Sequence, residues 1–263
     1  MRYLLAEKWT LNIPDHLVKG VKPEWVAQYT NKDVALMPYN YRLASPNAQR
    51  DIAAGIWCYE YMLQILLNLG IHKECGVVEY FAGVGRDSTI IQNMLHPEYH
   101  AMVERDSQCC DHLRHAFPQC DVMNEDFFGM SIGNAEVSFL DPNTFTAVKL
   151  AKDERWQKQL RNVLENSTFT IITDSAISRL GLHWKWYANA MGIPASTGFS
   201  IGGYIDGLSK MMYCMFGHSI RYAVYHPHAT YLLIVDGYSA SLGITKSSSA
   251  DYKYYFQEVE VPK

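Results

Sequence analysis

The stretch Val77-Val-Glu-Tyr-Phe-Ala-Gly-Val-Gly85 constrains the fold of this chain more than any other. An apolar run carrying one acid stops at two glycines, and a helical pattern over Ser88–Leu95 follows. Gly83 and Gly85 let the backbone turn sharply and come close to a ligand. Two nucleotide-loop alternatives fit poorly. A dinucleotide fingerprint needs a third glycine where this chain has Ser88, and a phosphate-cradling loop needs Gly-Lys-Ser/Thr where it has Gly85-Arg-Asp.

The alternation then continues. His100–Glu104 reads as a second strand, Ser107–Phe117 as a helix, and Asp121–Phe128 holds a third strand. Val137–Leu140 is a fourth strand, Trp156, Leu160, Val163 and Leu164 mark a helix face, and Phe169–Thr173 is a fifth strand. Strands alternating with helices predict a parallel sheet covered on both faces. Two apolar runs, Ile220–Tyr225 and Thr230–Val235, flank His226-Pro-His-Ala229 and predict a closing antiparallel hairpin. Residues 181–219, rich in glycine and aromatics, are too long for an ordinary loop and form a candidate substrate-recognition insertion. Upstream, Asn47 can cap a helix whose apolar positions run from Ile52 to Leu69 and which Gly70 ends. Residues 1–45 read as an irregular arm, leaving 46–263 as one α/β domain.

Composition sets limits on function. The chain has 263 residues, 48% of them hydrophobic, which is ample for a core. With 23 basic against 27 acidic side chains, a generally basic nucleic-acid surface is excluded, although a local patch is not. The six cysteines form no CxxC pair and are expected as buried thiols. The opening apolar run breaks too early for a signal peptide, and nothing approaches the ~18 apolar residues of a membrane span. A cytoplasmic protein without a membrane partner is the expectation.

The strand ends carry the chemistry. Glu104 ends the second strand, about 20 residues past the glycine turn, where open α/β sheets place a carboxylate for ribose hydroxyls. Asp126, followed by Phe127, suits an adenine amine and ring, with Glu125 as the alternative if the register slips. The fourth strand runs into Asp141-Pro-Asn-Thr-Phe145.

Taken together, these motifs resemble class I S-adenosylmethionine-dependent methyltransferases over roughly Val77 to Ser175. The closest likeness is to small ribosomal-RNA guanine enzymes and adenine-N6 amino-methyltransferases. The resemblance implies a Rossmann-like fold and S-adenosylmethionine as cofactor, with S-adenosylhomocysteine as product. It implies cofactor contacts from Glu79, Phe81, Ala82, Gly83, Gly85, Glu104, Arg105, Asp126, Phe127 and Asp141. Asp141, the Pro142 carbonyl and Asn143 become the catalytic set, with Phe145 against the substrate. The family's second proline and aromatic are replaced here by Asn143 and Thr144. A nucleic-acid base, RNA or DNA, is the expected amine substrate. A small-molecule methyltransferase, or an inactive module held by a protein partner in a larger assembly, is the alternative.

Other features have plainer readings. Lys149, Lys152, Arg155, Lys158 and Arg161 spread around a helix and read as a solvated face. His183, Trp184 and Trp186 read as a buried aromatic cluster more readily than as a substrate platform. His226 and His228 lack a third ligand nearby, so no metal is expected.

Overall fold

The computed structural model describes residues 2–5, 9–12, 58–142, 146–174, 177–194, 196–226, 229–239, 242–249 and 254–256. Near the start, Arg2–Leu5 (β1) and Trp9–Asn12 (β2) pair antiparallel, where an irregular arm is expected from sequence. Four-residue strands are too short to display a period. Residues 13–57 of the arm and helix, Asn47 included, lie outside the described residues. The helix is described over 58–68 (α1), and Gly70 follows it at φ +95°.

Alternating elements follow in the expected order. They are Gly76–Tyr80 (β3), Arg86–Leu95 (α2), Tyr99–Glu104 (β4), Ser107–Ala116 (α3), Asp121–Asn124 (β5) and Ala135–Leu140 (β6). After them come Thr146–Lys152 (α4), Glu154–Glu165 (α5), Ser167–Asp174 (β7), Ile177–Leu182 (α6), Trp184–Ala190 (α7) and Ile201–Phe216 (α8). The chain closes with His218–His226 (β8), Ala229–Asp236 (β9), Gly243–Ser249 (β10) and Tyr254–Phe256 (β11).

One nine-stranded sheet has the order β11-β10-β8-β9-β7-β6-β3-β4-β5. Strands β3 to β7 are parallel, whereas β9 is antiparallel to both β7 and β8. The strand order reverses between β3 and β6, and the crevice outside their carboxyl ends is where open sheets bind ligands. The hairpin expected from sequence is therefore present. Beyond it, β10 adds parallel to β8 and β11 antiparallel to β10.

Strand side chains alternate between the two faces. Val77, Val137, Phe139, Ile171 and Leu233 bury against Tyr59, Met62, Leu63 and Leu66 of α1 and Ile90 and Ile91 of α2. Val78, Tyr80, Leu140, Ile172 and Leu232 bury on the opposite face, against α4, α5, α7 and α8. Each such aliphatic side chain contributes about 1.5–3 kcal/mol when fully buried.

Two expectations change. The basic stripe does not lie on one helix, because Asp153 caps α5 by accepting from the Arg155 and Trp156 N–H groups and separates it from α4. All five basic residues are exposed, as a solvated face predicts, and Arg161 also donates from Nη2 to the Met215 carbonyl with its guanidinium over Phe216. The 181–219 stretch is not all insertion either. Its second half is α8, whose Tyr204, Ile205, Leu208 and Met212 are buried in the core. Cys58, Cys75, Cys109 and Cys110 are buried and in no disulfide, Cys120 is half-buried and Cys214 is exposed. Among the described residues no helix is long and apolar enough to cross a membrane.

Candidate active site

Residues 81–85 connect β3 to α2 in a turn with three positive φ angles: Phe81 at +65°, Gly83 at +59° and Gly85 at +80°. Gly85 caps α2 in the left-handed conformation, so the helix starts two residues before the apolar period suggests. Phe81 holds that conformation despite a Cβ, at roughly 1–2 kcal/mol. Its ring packs on Phe127 at 4.9 Å and on Trp156 at 6.2 Å, which offsets the strain.

The turn is tied to the end of β4. Glu104 Oε2 accepts from the Gly83 N–H at 3.0 Å, and Oε1 accepts from the Arg105 and Asp106 N–H groups at 2.8 and 2.9 Å. A carboxylate offers about four acceptor sites, so about one stays open. Asn124 Nδ2 donates to the Glu104 and Arg105 carbonyls at 3.2 and 3.0 Å, clamping β5 to β4, a role that sequence spacing gave no sign of.

Glu79 is turned inward. It is buried, accepts from Ser88 Oγ at 2.6 Å, and lies 3.3 Å from His100 Nε2. Gln92 Nε2 stands 2.8 Å from His100 Nδ1. The residue supports the turn from below. Ala82 packs with Met102, Leu113 and Phe117.

After β5, Asp126 Oδ1 accepts from the Phe128 N–H at 3.2 Å and the carboxylate stays exposed. Phe127 is buried, in contact with Tyr80, Phe81 and Trp156, and is not free to flank a ligand ring. The ring turned outward is Phe128, with the Arg155 guanidinium 5.3 Å from its centroid. Both rings lie in the turn after β5, and spacing alone did not show which one packs inside.

The fourth strand ends in a buried polar cluster that the motif pattern did not anticipate. Asp141 Oδ1 accepts from Thr173 Oγ1 at 2.5 Å, and Oδ2 accepts from Arg86 Nη2 at 2.7 Å. Arg86 also donates from Nε and Nη2 to both oxygens of Asp87, and from Nη2 to the Tyr231 hydroxyl at 3.2 Å. The Tyr59 hydroxyl is buried beside this cluster and has no hydrogen-bond partner among the described residues. Asp141 itself is 32% exposed, so one side of the carboxylate faces outward. Pro142 follows it half-buried, and Asn143, Thr144 and Phe145 lie outside the described residues.

Burial pushes the Asp87 carboxyl up to about 6, against the pull of the Arg86 guanidinium. Between about pH 4 and 6 the folded chain keeps a proton there that the unfolded chain has released. The group's contribution is therefore full below about pH 4 and lost as pH rises through about 6. Urea titrations should show the wild type losing stability relative to Asp87→Asn across that window. A difference that stays constant with pH would contradict this.

Asp174, at the end of β7, ties the start of α4 to α8. Its Oδ1 accepts from the Thr146 N–H at 3.2 Å, and its Oδ2 accepts from the Tyr204 hydroxyl. Next to it, the aromatic cluster expected at 183–186 divides. Trp184 is buried and donates from Nε1 to the Thr197 carbonyl. Trp186 is 63% exposed with His183 stacked on it at 4.8 Å. The His226 side chain and His228 lie outside the described residues.

Structural comparison places this arrangement on a known scaffold. The chain is similar to the magnesium protoporphyrin IX methyltransferase of Synechocystis PCC 6803, a structure with bound S-adenosylhomocysteine. The TM-score is 0.50 at 14% identity, over 72% of this chain and 87% of that one. An S-adenosylmethionine-dependent methyltransferase from Clostridium acetobutylicum matches with a TM-score of 0.48 at 7% identity, over 69% of this chain and 91% of that one. No protein-family model and no curated protein sequence matches. The chain has the class I methyltransferase fold: a mostly parallel sheet between helices, closed by an antiparallel hairpin.

Proposed function

We propose that this protein is an S-adenosylmethionine-dependent methyltransferase that transfers a methyl group to an amine of a nucleic-acid base, in RNA or DNA. One observation carries the reading. A half-exposed carboxylate, Asp141, stands at the carboxyl end of β6, across the strand-order reversal from the glycine turn.

The residues fit the cofactor. Glu104 and Asp126 stand at the ends of adjacent parallel strands, and the left-handed turn at 81–85 brings bare backbone close beside them. In this reading Glu104 takes the ribose hydroxyls and Asp126 the adenine amine. When bound, S-adenosylmethionine would supply an activated methyl group on its sulfonium for transfer to the amine nitrogen. Asp141 accepts an amine N–H and so aims that nitrogen's lone pair, which is catalysis by orientation. Arg86 and Thr173 hold Asp141 in place, and the methylated nitrogen then releases its proton to water. The negative balance of charge favours a structured RNA or a partner-delivered substrate over tight, unspecific duplex binding.

A second reading has its own support. Both Asp141 oxygens already accept protein hydrogen bonds, as they would in an inactive module that keeps the fold within an assembly. Calorimetry with S-adenosylhomocysteine, followed by radiolabelled methyl transfer to total RNA and DNA, separates the two. Micromolar binding with label in nucleic acid is expected. Binding without transfer to any pool favours the inactive module, and no binding removes the cofactor assignment.

Glu104→Ala should lower S-adenosylhomocysteine affinity at least ~10-fold, since hydrogen bonds to a charged group contribute roughly 1.5–3 kcal/mol each. A folded variant with unchanged affinity would take Glu104 out of the site. Glu104→Gln keeps the shape and should fall between.

A further inference from the structure

Arg86 uses only part of its donor set. The Nε–Nη2 edge of the guanidinium takes the two Asp87 oxygens, so the second Nη2 proton lies along the other edge, shared by Asp141 and the Tyr231 hydroxyl. Nη1 shares that edge. It has no hydrogen-bond partner among the described residues, and it is not among their buried unsatisfied atoms. The Arg86 side chain is 14% exposed and that of Asp141 32%. Each Asp141 oxygen accepts one described bond and keeps an acceptor site. A donor and an acceptor thus stand side by side at the crevice between β3 and β6.

We propose that Arg86 selects the substrate: Nη1 donates to a lone-pair atom next to the amine whose N–H Asp141 accepts. The proposal rests on the methyltransferase reading and names its substrate class. The matching group is a neutral amine on a carbon that also bears an acceptor nitrogen, as in the exocyclic amines of adenine, guanine and cytosine. An alkylammonium is disfavoured twice, because it has no neighbouring acceptor and because it has no lone pair to receive a methyl group. A lysine at this position is a point charge and cannot bond Asp87 and Asp141 while presenting a second, fixed donor.

A purely electrostatic role, in which Arg86 only neutralises Asp87 and Asp141, predicts no dependence on the atom beside the amine. The test therefore changes that atom. Wild type and Arg86→Lys are compared on an oligonucleotide carrying the methylated base, and on one in which the ring nitrogen beside the amine is replaced by C–H. Wild type should prefer the natural base at least ~10-fold in kcat/KM, and Arg86→Lys should prefer it less than ~3-fold. S-adenosylhomocysteine calorimetry and a melting curve accompany both proteins. Equal discrimination by both proteins overturns the proposal, as does a wild type indifferent to the substitution, a result that needs no folded variant. Label found only in a lysine-rich peptide overturns the substrate class but leaves the methyltransferase reading standing. A wild type that does not bind S-adenosylhomocysteine removes that reading, and this proposal with it.

Discussion

Asp141→Ala is expected to cut methyl transfer by ~100-fold or more while S-adenosylhomocysteine affinity stays within about threefold. That loss corresponds to ~2.7 kcal/mol of transition-state positioning. The expectation follows from place. Asp141 ends β6, its outward side faces the crevice, and the groups assigned to ribose and adenine stand on β4 and β5 instead. Removing it leaves Arg86 paired with Asp87, so the fold should survive. Asp141→Asn is the gentler variant, since its amide oxygen can still accept from Thr173 or Arg86. Lost transfer with retained binding supports the assignment. Lost binding would move Asp141 into the cofactor site or into a purely structural role.

Gly85→Val should abolish cofactor binding and lower the melting temperature sharply. Two independent effects add. Gly85 sits at φ +80°, which a β-branched residue rarely adopts. A Cβ built there would also run into Phe117 Cε2 and lie 3.0 Å from Leu113 Cδ2, both in the packed layer under the turn. Strain and overpacking of this kind cost on the order of 3 kcal/mol or more together. A valine variant that melts normally and binds S-adenosylhomocysteine as the wild type does would contradict this account.

The parallel half of the sheet was legible because each strand stops at a residue with its own conformational reason to turn. Gly83 and Gly85 follow β3, and Asp106 caps α3 directly after β4. The helix α8 was hidden by its own composition. Gly202, Gly203 and Gly207 read as loop, yet at Gly207 an added Cβ would come within 2.5 Å of Ile193 Cδ1. That glycine serves packing between α8 and the segment before it. The strand β10 was missed because its Lys-Ser-Ser-Ser run lacks the apolar alternation that marks a half-buried strand.

Within the site, Glu104, Asp126 and Asp141 could be placed because strand ends are visible in the pattern. Arg86 could not. In sequence it served only to argue against a phosphate loop, and its partners Asp141 and Tyr231 lie 55 and 145 residues away. Long-range ion pairs leave no local period. Phe127 and Phe128 are neighbours in one turn and both meet Trp156, and only packing against Tyr80 and Phe81 makes Phe127 the inner ring.

The route from β9 to β10 carries an implication for how the chain assembles. β9 ends opposite the start of β8, and the chain then passes that end of β8 to run parallel to it on its far side. The passage is pinned by Ser219, whose hydroxyl donates to the Gly237 carbonyl at 2.7 Å and accepts from the Ser239 N–H at 2.8 Å. Apart from β11, β10 has only β8 to pair with, a partner reached by a long crossing, so its docking on the main sheet is a late event in folding. The last two strands lie at the far edge of the sheet from the strand-order reversal. Hydrogen exchange should accordingly find their amides opening first, in a cooperative unit separate from the strands that carry the crevice.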